Sequence, residues 1–226
     1  MSLRRGCIRF RLALPETRKM RSYRHAIVFL DWDTARRVTP EPRVPINDVR
    51  RASHQIDRIF AALQNIIAGK LRSIDSKSIF RVRWRLYHGW YEGKTKTTDF
   101  AAIEKYLLDA KTHVIGNISF GNEIVVACAL LAQGKRAQLY DSKRRIEKNG
   151  QIVVRQKMVD TGLVCDLLHS VRISKDDIHL IYGSDDDLLP GLFTAEAWGG
   201  HVHMFRPDAG SKHLPTANIV TVLERY

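Results

Sequence analysis

The sequence predicts an α/β fold built on a mainly parallel central sheet, and three observations carry that expectation. Two short segments, "HAIVFLD" at 25–31 and "DIHLIYG" at 177–183, are apolar without alternation, the pattern of strands covered on both faces. Stretches with apolar residues at helical spacing separate the strands, as crossover connections require. At 226 residues and 44% hydrophobic content, the chain can bury such a core as one domain.

Residues 1–24 read as a basic arm, with eight Lys/Arg against the single acid Glu16; Ile8, Phe10, Leu12 and Leu14 alternate with arginines and fit a short edge strand. Residues 25–226 are expected to form the domain proper. Its first strand, Ala26 to Leu30, ends at Asp31. Three prolines mark a loop from Val38 to Ile46. Next, Ile56, Ile59, Phe60, Leu63, Ile66 and Ile67 form one helical stripe, capped by Asn47 or Asp48 and stopped by Gly69. "SIFRVRWRLYHGWY" alternates Phe80, Val82, Trp84 and Leu86 with Arg81, Arg83 and Arg85, a strand with one wet face.

"TTDFAAIEKYLLDA" is a helix capped by Thr98 or Asp99. Residues 114–135 are apolar all round and fit helix or strand equally. Asn149-Gly150 marks a turn. A helix opens near Asp160 in "DTGLVCDLLHSV", a buried strand covers "DIHLIYG", a helix in "DLLPGLFTAEAWGG" stops at its glycine pair, and "HVHMFRP" is a final strand.

Composition narrows the partners. With 37 Lys+Arg against 24 Asp+Glu the formal net charge is +13, a surface that gathers polyanions, nucleic acid foremost. Cys7, Cys128 and Cys165 are odd in number, far apart and without ligand spacing, which fits a reducing compartment. No run approaches the ~18 apolar residues of a membrane span, so no membrane partner and a cytoplasmic location are expected.

Against this basic background stands "LIYGSDDDLLPG" at 180–191. Asp31 follows one buried strand and Asp185 another, and parallel strands deliver both to the same sheet edge. Asp160 opens a helix, and a helix following a strand in this architecture has its N-terminus at that same edge. Clustered carboxylates repel one another, so gathering them costs stability unless a cation sits between them; Mg²⁺, with its preference for oxygen ligands, fits. Each acid also admits a plainer role: Asp185 to Asp187, or Asp160, as helix caps, and Asp33 and Asp166 as structural or solvated groups.

Three blocks carry a resemblance to the NYN domain family of the PIN-like nuclease superfamily: "AIVFLDWDTAR", "QKMVDTGLVCDLLHSV" and "IHLIYGSDDDLLPGLFTAEAWGGHVHMF". In the third, Asp185, Asp187, Pro190, Gly199 or Gly200, and Val202 fall at family spacing. The resemblance spans roughly residues 25–206. It implies a Rossmann-like three-layer α/β/α fold and a metal-dependent ribonuclease, with endonucleolytic action the expected mode. Asp31, Asp160 and Asp185 match the catalytic acids, and the same three with Asp187 the ligands of Mg²⁺ or Mn²⁺. In the implied mechanism the ion polarises a phosphoryl oxygen and activates a water for in-line attack.

RNA stands ahead of DNA as the substrate, and a homodimer is left open. Thr34 stands where the family commonly has Asn, Gly183-Ser184 replaces its Ser-Gly, and Leu188 replaces an aromatic. These departures motivate an alternative, a nucleic-acid-binding module of the same fold with weakened catalysis; a phosphatase-like site for small esters is a third reading.

Lys157, the arginine face at 81–85 and Lys143 to Arg145 are candidate phosphate contacts, or solvated charge. Trp32 either stacks a base or packs at the core's rim. His201 and His203 lack a third ligand for zinc. The loop "HGWYEGKTKT" is placed over the substrate.

Overall fold

The computed structural model describes residues 23–39, 49–93, 95–109, 111–126, 142–148, 150–207 and 216–218. The basic arm before Tyr23, most of the proline loop, the caps at Asn47 and Asp48, Cys7, Cys128, residues 127–135 and Asn149 lie outside them.

The main sheet is built around β1 (Tyr23–Asp31), whose five central residues are all buried. It pairs in parallel with β2 (Ile79–Tyr87) on one side and β9 (Ile178–Tyr182) on the other. Farther out, β6 (Ile118–Val126) lies parallel to β2, and β10 (His201–Pro207) parallel to β9. Two short antiparallel strands, β5 (His113–Ile115) and β11 (Thr216–Asn218), close the edges, giving the order β11-β10-β9-β1-β2-β6-β5. As far as Val126, the apolar segment that fits helix or strand is therefore a hairpin, β5 and β6 joined by a turn at Gly116 with φ 64°.

Alternate residues of β1 serve two cores. Ala26, Val28 and Leu30 join Phe80, Val82, Trp84 and Leu86 beneath α2 (Val49–Ile74) and α3 (Thr98–Asp109). Ile27 and Phe29 face the other way, toward Leu163, Leu167 and Val171 of α4 (Val159–Ile173) and Leu192 and Ala195 of α5 (Leu189–Ala197). Helices thus cover both faces of a mainly parallel sheet, the arrangement that uninterrupted apolar strands demand. Helix α2 runs past its expected stop at Gly69, because Leu71 and Ile74 still pack on the core and Gly69 keeps a helical backbone.

A second, four-stranded sheet has the order β4-β3-β7-β8: β4 (Thr95–Lys96), β3 (Tyr91–Glu92), β7 (Ser142–Lys148) and β8 (Gln151–Lys157). β7 and β8 form an antiparallel ribbon around the expected turn, where Gly150 has φ 73°. The strand before α4 belongs to this small sheet, not the main one. The chain changes direction at Met158, which adopts a left-handed backbone at φ 63°. Gly89 makes the junction possible: a Cβ there would stand 2.8 Å from Lys143 Cγ and 3.1 Å from Gln156 Cγ.

Candidate functional site

Parallel register fixes the first part of the site. Leu30 lies beside Tyr182, so Asp31 is level with Gly183 at the carboxyl edge of the sheet. A side chain at 183 would crowd this edge, since a Cβ would stand 2.7 Å from Leu188 Cδ1 and 3.6 Å from Asp31 Cβ. Asp31 caps the four-residue helix α1 (Trp32–Ala35). Its Oδ1 accepts the Asp33 N–H at 3.1 Å, and its Oδ2 accepts the Thr34 hydroxyl at 2.5 Å. The buried Thr34 oxygen also lies 3.0 Å from Ser184 Oγ, tying the end of β1 to the loop after β9.

That loop carries Asp185, whose Oδ1 accepts the Asp187 N–H at 3.1 Å and caps a 3-10 turn over Asp186–Leu188. Asp160 is not the cap of α4. Met158 holds that position without a side-chain bond, and Asp160 sits in the first turn, where the helix dipole favours a carboxylate. The cavity between these segments has a volume of about 640 Å³ and is lined by Asp31, Asp33, Asp160, Asp185 and Asp186 on the acidic side. Thr34, Arg37, Val159, Ser184 and the β8 residues Val154, Arg155 and Gln156 complete the lining.

Electrostatics register the crowding. Burial, with the charges of Asp31, Asp185 and Asp187, pushes Asp160 up to about 6. Burial also raises Asp31, outweighing the Thr34 hydrogen bond, and the Asp33 charge adds to the effect. Among the described residues, Asp31, Asp160 and Asp185 form no ion pair. Asp186 does, with Arg206, whose guanidinium also donates to the Ser184 carbonyl at 2.8 Å.

Asp33 has a different task. It meets Arg36 and the Gln156 amide, and its Oδ2 lies 3.6 Å from Nδ1 of the fully buried His88. The other ring nitrogen lies 3.3 Å from Asp99 Oδ2. Neither contact has hydrogen-bond geometry as it stands. Burial alone would raise Asp33, yet His88 and Arg36 hold it down at about 2. Burial would lower His88, yet the two carboxylates raise it. The sequence held only a weak signal for His88: a histidine just beyond an alternating strand. Nothing marked Gln156, Arg37 or Arg155 individually.

Other expectations change. Asp187 is exposed and stands outside the cavity lining, because burial of its neighbour Leu188 turns the 3-10 turn so that Asp186 lines the cavity instead. Asp166 is fully buried and accepts the Tyr87 hydroxyl at 2.9 Å, away from the cavity. Trp32 packs in the core against Phe60 and Trp90. His88 to Trp90, the start of the loop expected over the substrate, are buried beneath the site. Arg81 and Arg83 both pair with Glu123, and Arg85 lies over the Phe29 ring, so that arginine face is largely engaged. Lys157 is exposed beside the cavity without lining it.

Among the described residues, no three His, Cys, Asp or Glu side chains are gathered tightly enough to hold a metal ion as they stand. Both Asp31 oxygens are turned to their own hydrogen-bond donors, and like charges oppose closer approach. No helix among the described residues is long and apolar enough to cross a membrane. Comparison with family models, curated proteins and solved structures finds no match to the chain.

Proposed function

We propose that the chain is an NYN-type, PIN-like metal-dependent ribonuclease that hydrolyses phosphodiester bonds, with Asp31, Asp160 and Asp185 as its catalytic acids. The observation that carries this reading is the meeting of three carboxylates, from segments far apart in the sequence, in one cavity of a protein with net charge +13, none of them in an ion pair among the described residues. The donor set fits a hard divalent cation: all ligands are oxygen, the site is anionic, and the charge repulsion that adds to burial in pushing Asp160 to about 6 is relieved by positive charge.

Asp31, Asp160 and Asp185 would hold Mg²⁺ or Mn²⁺, with Asp187 close enough to add its field and to serve as a fourth ligand after a change in the 3-10 turn. Such an ion supplies Lewis-acid polarisation of a phosphoryl oxygen and a more acidic water. The protein's own groups orient the site. Thr34 fixes the Asp31 carboxylate and links it to Ser184, while Gly183 keeps the edge free of side-chain bulk.

The engagement of both Asp31 oxygens favours a second reading, a nucleic-acid-binding module without turnover. Incubation of the purified chain with labelled single-stranded RNA separates the two. The nuclease reading expects cleavage with Mg²⁺ or Mn²⁺ that is lost with chelator and in Asp31→Asn. Salt-sensitive binding with no cleavage under either metal overturns it.

A further inference from the structure

The cavity has a second wall. Among the described residues β8 is an edge strand of the small sheet, and its Val154, Arg155 and Gln156 line the cavity together with the carboxylates. The ribbon's two faces are chemically distinct, because residues directly opposite in antiparallel register share a face. One face carries the pairs Lys143 with Gln156, Arg145 with Val154, and Glu147 with Ile152. Its base is docked. Gln156 Oε1 accepts the Gly89 N–H at 2.8 Å, its amide reaches Asp33, and Arg145 pairs with Glu92 at 3.0 Å. Beyond that base the same face leaves Val154 49% and Ile152 72% exposed.

The other face carries Lys157, Arg155 and Lys148 toward solvent. Neither these three nor Arg37 forms an ion pair with another described residue. Same-face neighbours such as Arg155 and Lys157 stand ~6.8 Å apart along the strand, a step comparable to that between successive phosphates of an extended polynucleotide.

We propose that the β7–β8 ribbon is a strand-holding arm. A single-stranded polynucleotide would run along the β8 edge that borders the cavity, with phosphates on Arg37, Arg155 and Lys157 to one side of that edge and unpaired bases turned over it onto Val154 and Ile152. Charge selects a polyanion, since none of these cations is spent on an ion pair with another described residue. The exposed apolar residues select a single strand, since paired bases do not offer their faces to a protein surface. The Gln156 contacts to Asp33 and Gly89 tie the arm's position to that of Asp31. The inference rests on the nuclease reading for the direction in which the strand is presented, but the binding surface can be tested without it.

The test is equilibrium binding of a short fluorescein-labelled oligouridylate to the full chain, with chelator present, followed by anisotropy across a salt series. Each phosphate contact on a single strand contributes ~0.7 to the slope of log affinity against log salt. Arg155→Gln/Lys157→Gln therefore lowers the slope by about 1.4 and Arg37→Gln by about 0.7. Lys175→Gln, in the turn beyond the far end of α4, leaves the slope unchanged. Ile152→Ala/Val154→Ala weakens binding without altering the slope.

These positions are exposed or half-exposed, and an unchanged thermal midpoint shows that the fold survives substitution. The proposal is overturned if the Arg155/Lys157 pair keeps the parental slope, if Lys175→Gln lowers the slope equally, or if a duplex of the same length binds as tightly with the same response. Arm-dependent binding with no cleavage under Mg²⁺ or Mn²⁺ overturns the nuclease reading and leaves the arm standing. Cleavage with parental KM in the arm variants does the reverse.

Discussion

Asp160→Asn tests the electrostatic claim most directly, because it removes one negative charge with little change in shape. The carboxyl has a pKa of about 6 in the folded chain against an ordinary 3.8, through burial and the charges of Asp31, Asp185 and Asp187. A raised carboxyl pKa means that the folded state holds its proton more tightly. The cost is absent well below 3.8, grows as pH rises toward about 6, and is fully present above that. At ~1.36 kcal/mol for each tenfold in proton affinity, the unscreened penalty at neutral pH is about 3 kcal/mol. Asp160 is only half-buried, and solvent screening brings it to about 1–2 kcal/mol.

For a chain of this length ~1 kcal/mol corresponds to ~2–4 °C in Tm, so in chelator at about pH 7.5 the Asn variant should melt about 2–8 °C above the parent. Most of that gain should vanish by about pH 4, where the charge is absent from the folded parent and half lost from its unfolded chain. Thermal unfolding by circular dichroism at both pH values measures it. An Asn variant no more stable than the parent near neutrality, or equally favoured at both pH values, refutes the claim that burial and the neighbouring acids together penalise the Asp160 carboxylate. Added Mn²⁺ should stabilise the parent more than the variant and narrow the gap.

Thr34→Val keeps the shape but removes the hydroxyl that reaches both Asp31 and Ser184; the expected cost is about 1–3 kcal/mol in chemical denaturation, and under the proposed nuclease reading RNA cleavage should fall more than RNA binding. Gly183→Ala forces a methyl to 2.7 Å from Leu188 Cδ1, so stability should drop by about 1–3 kcal/mol, read as a lower denaturation midpoint. His88 is raised by its two carboxylates, so its stabilisation is complete below pH 6.5 and fades as pH climbs through the folded-state pKa; His88→Gln should flatten that decline in a Tm-against-pH series. Asp33, held at about 2, works at the opposite end: Asp33→Asn should remove stability that the parent keeps above 3.8 and loses as pH falls toward 2.

The main sheet was legible because its strands obey a physical constraint that shows in composition. A strand covered by helices on both faces has no place for a charged side chain, so 26–30 reads as an unbroken apolar run and 178–182 as one interrupted only by His179, whose pKa burial lowers to about 4. The alternating arginines of β2 were equally readable as a strand. Their chemistry was not, because Glu123, which pairs with Arg81 and Arg83, lies on β6, and only the parallel pairing of β2 and β6 brings it near. The two-residue strands β3 and β4 carry too little pattern to be seen, and they exist because β7 and the fold of residues 88–90 hold them.

The acidic wall was legible for a related reason. Asp31 and Asp185 end apolar runs, and a parallel sheet sends such ends to one edge. Asp160 reached the same cavity by a route that sequence could not specify. Its preceding strand lies in the small sheet, and the left-handed turn at Met158 brings the first turn of α4 into the cavity. The opposite wall left no local mark, since an arginine within a basic ribbon looks like any solvated cation. What distinguishes Arg155 from Arg145 is register: the latter shares the docked face and is spent on Glu92, whereas Arg155 lies on the other face, exposed at the rim of the cavity. The same register aims Gln156 at Asp33, so the residues that dock the ribbon also brace the helix that Asp31 caps. If that coupling operates, Gln156→Ala should loosen the arm and the carboxylate site together, whereas Arg155→Gln should touch binding alone.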